Sequence, residues 1–216
     1  MTTIKTFIGT VALLAASTVF AQSGSSTLFP KGDEDGQGTI GRRYGEGYLS
    51  LQNVSHSSDD VFGIGVGGNL PVCKGLDLIG GIGYTSYKPD DWSTTLTNVD
   101  GGVRIYNKIE DDVKPFLQAG LGLSIGDVRD HSTNWINWSV GVGAEFPYKY
   151  VSITPSITYR DDLRHRGPSI QSMNYAVDVN SWATSQVGIF AKVVAIDIMN
   201  DSNIEVGLTA GIRVRF

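Results

Sequence analysis

Apolar and polar residues alternate along most of the chain after residue 43, with the period of two that is typical of β-strands. The last eleven residues, VGLTAGIRVRF, have an apolar residue at every second position from Val206 to Phe216, with glycine, threonine and arginine between them. The same pattern occurs in NWINWSVGVGAEF (134–146) and in YVSITPSITYR (150–160). No stretch after residue 43 has the 3.6-residue period of an amphipathic helix. The pattern predicts an all-β protein.

Ten segments of the chain are predicted strands. Nine are clear, near residues 43–54, 60–70, 76–88, 95–106, 115–125, 135–146, 150–161, 182–194 and 204–216, and one, SIQSMNYAVDV (169–179), is weak. Each is about as long as the 9–11 residues with which a tilted strand crosses a bilayer. Bacterial single-chain barrels have even strand numbers, which favours ten strands, with eight as the alternative. Proline removes a ladder hydrogen bond, so Pro155 predicts a local bulge in its strand.

The composition of the polar face decides which face meets the surroundings. Glycine accounts for 27 of the 216 residues, where about 15 would be usual, and charged residues make up 18%, where about 25% is usual. A soluble barrel shows a charged outer face to water, whereas glycine, serine, threonine and asparagine suit the crowded interior of a narrow barrel. We therefore expect the apolar face to meet lipid. The prediction is a closed, antiparallel, up-and-down transmembrane β-barrel, a fold that pairs every backbone group inside a bilayer.

The first residues predict export. MTTIKTFIGTVALLAASTVFAQ has one early Lys5, an apolar run and a small-residue site ending at Ala21, as in a secretory signal peptide. Residues 1–21 are thus a predicted signal peptide (an uncleaved anchor is the alternative), 22–42 a flexible segment and 43–216 the barrel. Without Lys5 the formal charge changes from −5 to −6. An acidic exported chain does not favour nucleic-acid binding, which needs a basic stripe.

The stretch FGIGVGGNL (62–70) matches the dinucleotide-binding spacing G-x-G-x-x-G at Gly63, Gly65 and Gly68. That motif needs a helix to begin within it. Here the alternation continues without interruption, so we interpret the glycines as part of a strand that lines a narrow lumen. No cofactor is expected.

Ten charged residues fall on the predicted lumen face of the strands. The acidic ones are Glu46, Asp77, Asp100, Glu145 and Glu205, and the basic ones are Arg104, Arg160, Lys192, Arg213 and Arg215. Equal numbers of each sign predict an internal network of paired charges, since an unpaired buried charge is unfavourable. The alternative is a narrow, weakly selective pore lined by these charges.

The whole pattern resembles the small outer-membrane β-barrels of the OmpA, OmpX and opacity-protein group. The resemblance covers about residues 44–216 and rests on the glycine-rich alternating strands and on the last strand, IEVGLTAGIRVRF. KPFLQAGLGL is also similar to a KPY-x-G-x-G-x-G strand start in that group, with Phe116 in place of tyrosine. The resemblance implies location in the bacterial outer membrane. It also implies that Ala210, Ile212, Val214 and Phe216 form a signal for the barrel-assembly machinery.

Candidate chemistry in the loops is sparse. His56, His131 and His165 all fall in predicted outer loops near aspartates, where such a cluster could bind a metal or act as acid and base. The loops lack the Ser/His/acid spacing and the Asp-x-His pair of barrel enzymes with rim active sites, and polar loop residues are the ordinary expectation. Cys73 is the single cysteine, so no intrachain disulfide forms. We therefore expect no catalytic residue and no metal. The expected role is structural or surface-interacting (adhesion or envelope integrity), with an extracellular or host ligand of the loops; a diffusion pore and a rim enzyme are the alternatives.

Overall fold

The chain forms ten β-strands. The computed structural model describes residues 38–53, 60–87, 94–109, 112–128, 131–164, 170–199 and 204–216. The strands are β1 (Tyr44–Asn53), β2 (Asp60–Cys73), β3 (Leu76–Tyr87), β4 (Thr94–Tyr106), β5 (Lys114–Val128), β6 (His131–Pro147), β7 (Ser152–Arg164), β8 (Ile170–Trp182), β9 (Val187–Ile198) and β10 (Ile204–Arg215). The predicted signal peptide and residues 22–37 lie outside the described residues.

The strands form one closed antiparallel barrel. Each strand pairs with its neighbours in sequence, and β1 pairs with β10 from Tyr44↔Arg215 to Asn53↔Val206. The prediction of a closed up-and-down barrel is confirmed, with ten strands rather than eight. Because the strand number is even, both ends of the barrel-forming chain lie at one end, which we call the turn end. Residues 74–75, 107–109, 112–113, 148–151 and 183–186, which connect strands, lie there too; we call the opposite end the loop end.

Several strand boundaries differ from the sequence pattern; for example, β2 continues to Cys73 and β7 to Arg164. Trp182 ends β8 and does not begin β9, because the hydroxyl of Thr184 accepts hydrogen bonds from the backbone N–H groups of Gln186 and Val187 and so forms a tight turn. The predicted loop 126–134 is mostly strand, since β5 and β6 pair as far as Val128↔His131. His131 therefore begins a strand, contrary to its prediction as a loop residue.

Pro155 causes no bulge. The β6–β7 register is the same at Gly143↔Ser156 and at Phe146↔Ile153, with only the pairs between them missing. Proline has no N–H to donate, so the ladder is interrupted there without an extra residue being inserted. A register shift occurs instead between Pro71 and Cys73, at the turn end of β2.

The outer surface of the barrel is apolar. Every strand contributes an exposed aliphatic residue, for example Leu51, Val66, Ile82, Val103, Leu121, Val142, Ile157, Val177, Ile189 and Leu208. Leu121 is 67% exposed and Ile189 59%, values that suit contact with lipid and not with water. The prediction that the apolar face points outward is confirmed. Within the described ranges, no helix is long and apolar enough to cross a membrane.

Inside the barrel, aromatic rings cover glycines. A methyl group on Gly65 would collide with the Tyr48 ring, and one on Gly143 would meet the Phe116 ring at 2.5 Å. The rings of Trp182 and Phe190 cover Gly188 and Gly211 in the same way, each 2.8 Å from the added methyl group. Residues 62–70 lie in β2, with no helix. The strand interpretation of FGIGVGGNL is confirmed, and its lumen-facing glycines make room for side chains from neighbouring strands.

Candidate functional site in the barrel lumen

Arg213 is the buried centre of an ion cluster that joins β1, β8 and β10 and whose two carboxylates are partly exposed to the lumen. Its Nε lies 2.8 Å from Oε2 of Glu46, and its two terminal nitrogens donate to both carboxylate oxygens of Asp178 at 3.0 and 2.8 Å. One of them also donates to Oδ1 of Asn180 at 3.2 Å. Arg213 is 5% exposed. We call these four residues the Arg213 cluster; its two-pronged contact with Asp178 is the strongest geometry available to an arginine and a carboxylate.

Aromatic rings complete the surroundings of Arg213. Its guanidinium lies 4.0 Å from the centre of the Phe190 ring and 5.3 Å from the centre of the Tyr44 ring. Rings at these distances attract a cation electrostatically. The guanidinium is therefore held by hydrogen bonds in its plane and by rings beside it.

The other charged residues of the predicted network also occupy lumen-facing positions, but with different partners. Arg160 pairs with Asp162 at 2.8 Å. Glu205 accepts a hydrogen bond from Gln52 at 2.7 Å, near the loop end. Arg104 lies 5.0 Å over the Phe116 ring. Of these three residues, Arg160 forms an ion pair, Glu205 accepts a hydrogen bond from an amide, and Arg104 lies against an aromatic ring.

Asp100 and Lys192 line open space in the lumen. A cavity of about 390 Å³ is bordered by both, together with Glu46, Arg104 and Arg213. The carboxylate of Asp100 lies directly over Gly122. The sequence pattern missed Asp178 and Asp162, because Asp178 belongs to the weak segment and Asp162 to a predicted loop. The alternation within β8, where Asp178 shares a face with Asn174 and Asn180, was the signal that could have found Asp178.

Residues 38–43 lie inside the turn end of the lumen; we call them the plug segment. Oε1 of Glu145 accepts hydrogen bonds from the backbone N–H of Thr39 at 2.5 Å and from its hydroxyl at 2.8 Å. Oε2 accepts the N–H of Ile40 at 3.2 Å. Glu145 is fully buried and Ile40 is 1% exposed. The carboxylate of Glu145 thus binds backbone amides in place of a basic side chain.

Asp77, Asn69 and Lys114 hold the middle of the plug segment. Oδ2 of Asp77 accepts the N–H of Gly41 at 2.9 Å and an Asn69 amide proton at 3.0 Å. The Asn69 amide also donates to the carbonyl of Arg42 at 2.7 Å. Lys114 Nζ donates to the carbonyl of Ile40 at 2.7 Å. Side chains from β2, β3 and β5 therefore pair with three consecutive residues of the plug segment.

Trp182 and Arg215 bind the first residue of the plug segment. The indole N–H of Trp182 donates to the carbonyl of Gly38 at 3.3 Å, and Arg215 donates to the same oxygen at 3.4 Å. The Arg215 guanidinium stacks 3.6 Å over the Trp182 ring. Residues 38–42 belong to the segment predicted to be flexible, yet they are buried and hydrogen-bonded here; the sequence carries no local signal for this, because their partners are distant in the chain.

The predicted assembly signal, the single cysteine and the histidines lie away from the lumen cluster or outside the described residues. Ala210, Ile212 and Val214 lie on the outward face of β10, and Phe216 follows that strand with 53% exposure. Cys73 is exposed at the turn end of β2. His56 and His165 lie outside the described residues. Among the residues that the structure describes, no three His, Cys, Asp or Glu side chains are arranged to hold a metal ion.

Comparisons with known proteins bear on the fold. No protein-family model matches the sequence, and no curated protein matches it. Among solved structures, the β domain of the Bordetella autotransporter BrkA is similar over 81% of this chain and 99% of that domain, with a TM-score of 0.51 and 11% identity. Neisserial surface protein A (NspA) is similar over 81% of this chain and 96% of that protein, with a TM-score of 0.44 and 14% identity. At such identities the similarity concerns the fold. Together with its apolar exterior, this fold makes the chain a small β-barrel of the bacterial outer-membrane type.

Proposed function

We propose that this chain is a closed outer-membrane barrel with a structural or surface-interaction role. In this role the barrel anchors its loops in the membrane, and the loops contact the envelope or an extracellular or host ligand. The proposal includes no catalytic activity. It also includes recognition of Ala210, Ile212, Val214 and Phe216 by the barrel-assembly machinery.

The observation that carries this proposal is the plug segment across the turn end of the lumen. A conducting path would have to pass backbone groups that are hydrogen-bonded to Glu145, Asp77 and Lys114. Displacing them would leave the two buried carboxylates without those donors, which is unfavourable in a site shielded from water. The plug segment therefore supports a lumen that is closed to ions.

A small diffusion pore is the second candidate, and a specific observation favours it. The cavity of about 390 Å³ beyond the plug segment is lined by Asp100, Arg104 and Lys192, which form no ion pair among the described residues. Open space lined by charges that have no ion-pair partner is what a weakly selective pore needs. Measurement of ion conductance through the folded barrel distinguishes the closed barrel from the diffusion pore.

The test is single-channel recording from the folded, full exported chain in planar bilayers. We expect no reproducible openings from the wild-type protein. Glu145→Ala removes the acceptor of the Thr39 and Ile40 amides, so we expect that variant to conduct. Glu205→Ala, which changes a lumen glutamate away from the plug segment, is the matched control and should stay closed. Regular openings of the folded wild-type protein would favour the pore.

A further inference from the structure

The turn end of the lumen has the chemistry of a peptide-binding site, and we infer that it binds a peptide folded into a β-turn through its main chain, with residues 38–43 as the ligand built into the chain. The backbone N–H of Arg42 donates to the carbonyl of Thr39 at 3.2 Å, which closes that turn. The inference extends the proposed function, because it states that the plug segment closes the lumen and that barrel side chains recognise its main chain. It rests on the proposed function only in taking the plug segment as the closing element.

The contacts of the plug segment are complementary to a peptide backbone. Its N–H groups at Thr39, Ile40 and Gly41 all meet carboxylates. Its carbonyls at Gly38, Ile40 and Arg42 all meet donors, which are Trp182 with Arg215, Lys114 and Asn69 respectively. The Thr39 carbonyl and the Arg42 N–H pair with each other inside the segment. Acceptors for amides and donors for carbonyls of the barrel are thus placed to match the main-chain groups that this turn leaves facing outward. Such contacts give affinity with little dependence on side-chain sequence.

The buried acids point to a ligand and not only to internal packing. Asp77 is fully buried, and its Oδ1 has no hydrogen-bond partner among the described residues. All the hydrogen bonds that Glu145 accepts in the described part of the chain come from the plug segment. Without that segment, two buried carboxylates would lose backbone donors, so an empty site is expected to bind an equivalent peptide.

Two positions of the plug segment set the peptide that fits. Ile40 is 1% exposed, so the site accepts an apolar side chain there. Gly41 has a φ of 78°, and a methyl group on it would lie 2.5 Å from the Tyr106 hydroxyl oxygen. A β-branched residue is strongly disfavoured in that conformation. The expected ligand class is a β-turn peptide in which an apolar residue is followed by glycine at the two central positions of the turn.

The plug segment can leave without breaking the barrel. It precedes β1 and takes no part in the strand ladders, whose β1 pairs begin at Tyr44. It is joined to the barrel by a single covalent connection, at Tyr44. A substitution within it can therefore empty the site and leave the ten strands paired.

The experiment uses the full exported chain with Gly41→Val, which is expected to prevent docking of its own plug segment. A fluorescein-labelled peptide of sequence GQGTIGRR, corresponding to residues 36–43, is titrated against this variant in lipid vesicles, and anisotropy is measured. We expect saturable binding to the Gly41→Val chain and at least tenfold weaker binding to the wild-type chain, whose site is occupied. The same peptide with valine at the Gly41 position should bind neither chain.

A second measurement keeps the test valid if Gly41→Val does not fold, which loss of heat-modifiable gel mobility would reveal. Thr39→Cys in a Cys73→Ser background should react with a maleimide at least tenfold more slowly than Ser185→Cys, an exposed position at the same end of the barrel. Adding Glu145→Gln should remove most of that protection. Equal labelling at both positions, or equal peptide binding by both chains, would overturn the inference. Conductance by the wild-type chain would contradict the proposed closure of the lumen. The peptide-binding and maleimide-labelling results would still test the peptide-binding inference independently.

Discussion

Glycines on the lumen face of this barrel do not all have the same purpose. Gly65 lies beneath the Tyr48 ring, and a methyl group there would also come within 2.8 Å of the Ile82 carbonyl oxygen. Gly207 also faces the lumen, but its nearest contact for such a methyl group is the Leu51 carbonyl at 3.8 Å. The first glycine is required by a close approach of other atoms, and the second is not.

Alanine substitutions should separate these two kinds of glycine. We expect Gly65→Ala to lower the free energy of unfolding by about 1–3 kcal/mol, because the added carbon forces Tyr48 and the β3 backbone to move. Gly207→Ala should be neutral or stabilising by up to about 1 kcal/mol, since it reduces the freedom of the unfolded chain. Urea-induced unfolding in lipid vesicles measures both. Equal destabilisation by the two changes would contradict the close-packing explanation.

Residue-level roles were only partly predictable from the sequence. Alternation placed Glu46 and Arg213 on one face, but it could not show that Asp178, in a weakly patterned segment, provides the two-pronged partner. Glu145 was expected to join a network of paired charges, whereas its partners are backbone amides about a hundred residues earlier in the chain. Pairings over such separations depend on barrel closure, which no local pattern encodes.

At the scale of elements, the contact between β1 and β10 is the closure of the barrel, and the Arg213 cluster strengthens it. Arg213 of β10 binds Glu46 of β1 on one side and Asp178 of β8 on the other. It therefore links the first strand to strands at the other end of the sequence. A buried ion pair is not in itself evidence of stability, but removing one partner leaves the others uncompensated.

We expect Arg213→Ala to destabilise the barrel by about 3–5 kcal/mol, because two carboxylates lose their shared cation. Arg160→Ala is the matched control; its side chain is 30% exposed and pairs with one carboxylate, Asp162. A contribution of at most about 1 kcal/mol is typical of such accessible pairs. Unfolding midpoints in urea, with the gel shift on heating, measure the difference. A similar small loss in both variants would show that the cluster is not a major source of stability.

Element boundaries were predictable wherever alternation was strong and were missed where turn chemistry decided. The turn at 183–186 follows from hydrogen bonds to the Thr184 hydroxyl, which interrupt a run that reads as continuous from Trp182. The extension of β5 and β6 toward Val128 and His131 is set by their mutual pairing. Polar composition alone had assigned those residues to a loop.

At the scale of the whole molecule, ten strands and an apolar exterior predict the behaviour of an outer-membrane barrel. We expect the chain to fractionate with the outer membrane and to migrate faster on SDS gels before boiling than after, because the closed ladder resists detergent. Comparison of boiled and unboiled membrane fractions checks this. Recovery of the chain in the soluble periplasmic fraction, without a shift, would contradict the assignment.

The plug segment has a consequence for the order in which the protein assembles. Its hydrogen-bond partners lie 36 residues ahead at Asp77, 106 at Glu145, 144 at Trp182 and 177 at Arg215. Contacts between residues so far apart form late, because the intervening chain must be ordered first. Residues 38–43 are thus synthesised before all of their partners and are expected to dock after all of them. Sealing of the lumen becomes the final folding step, and a barrel with an open turn end is one whose assembly is incomplete.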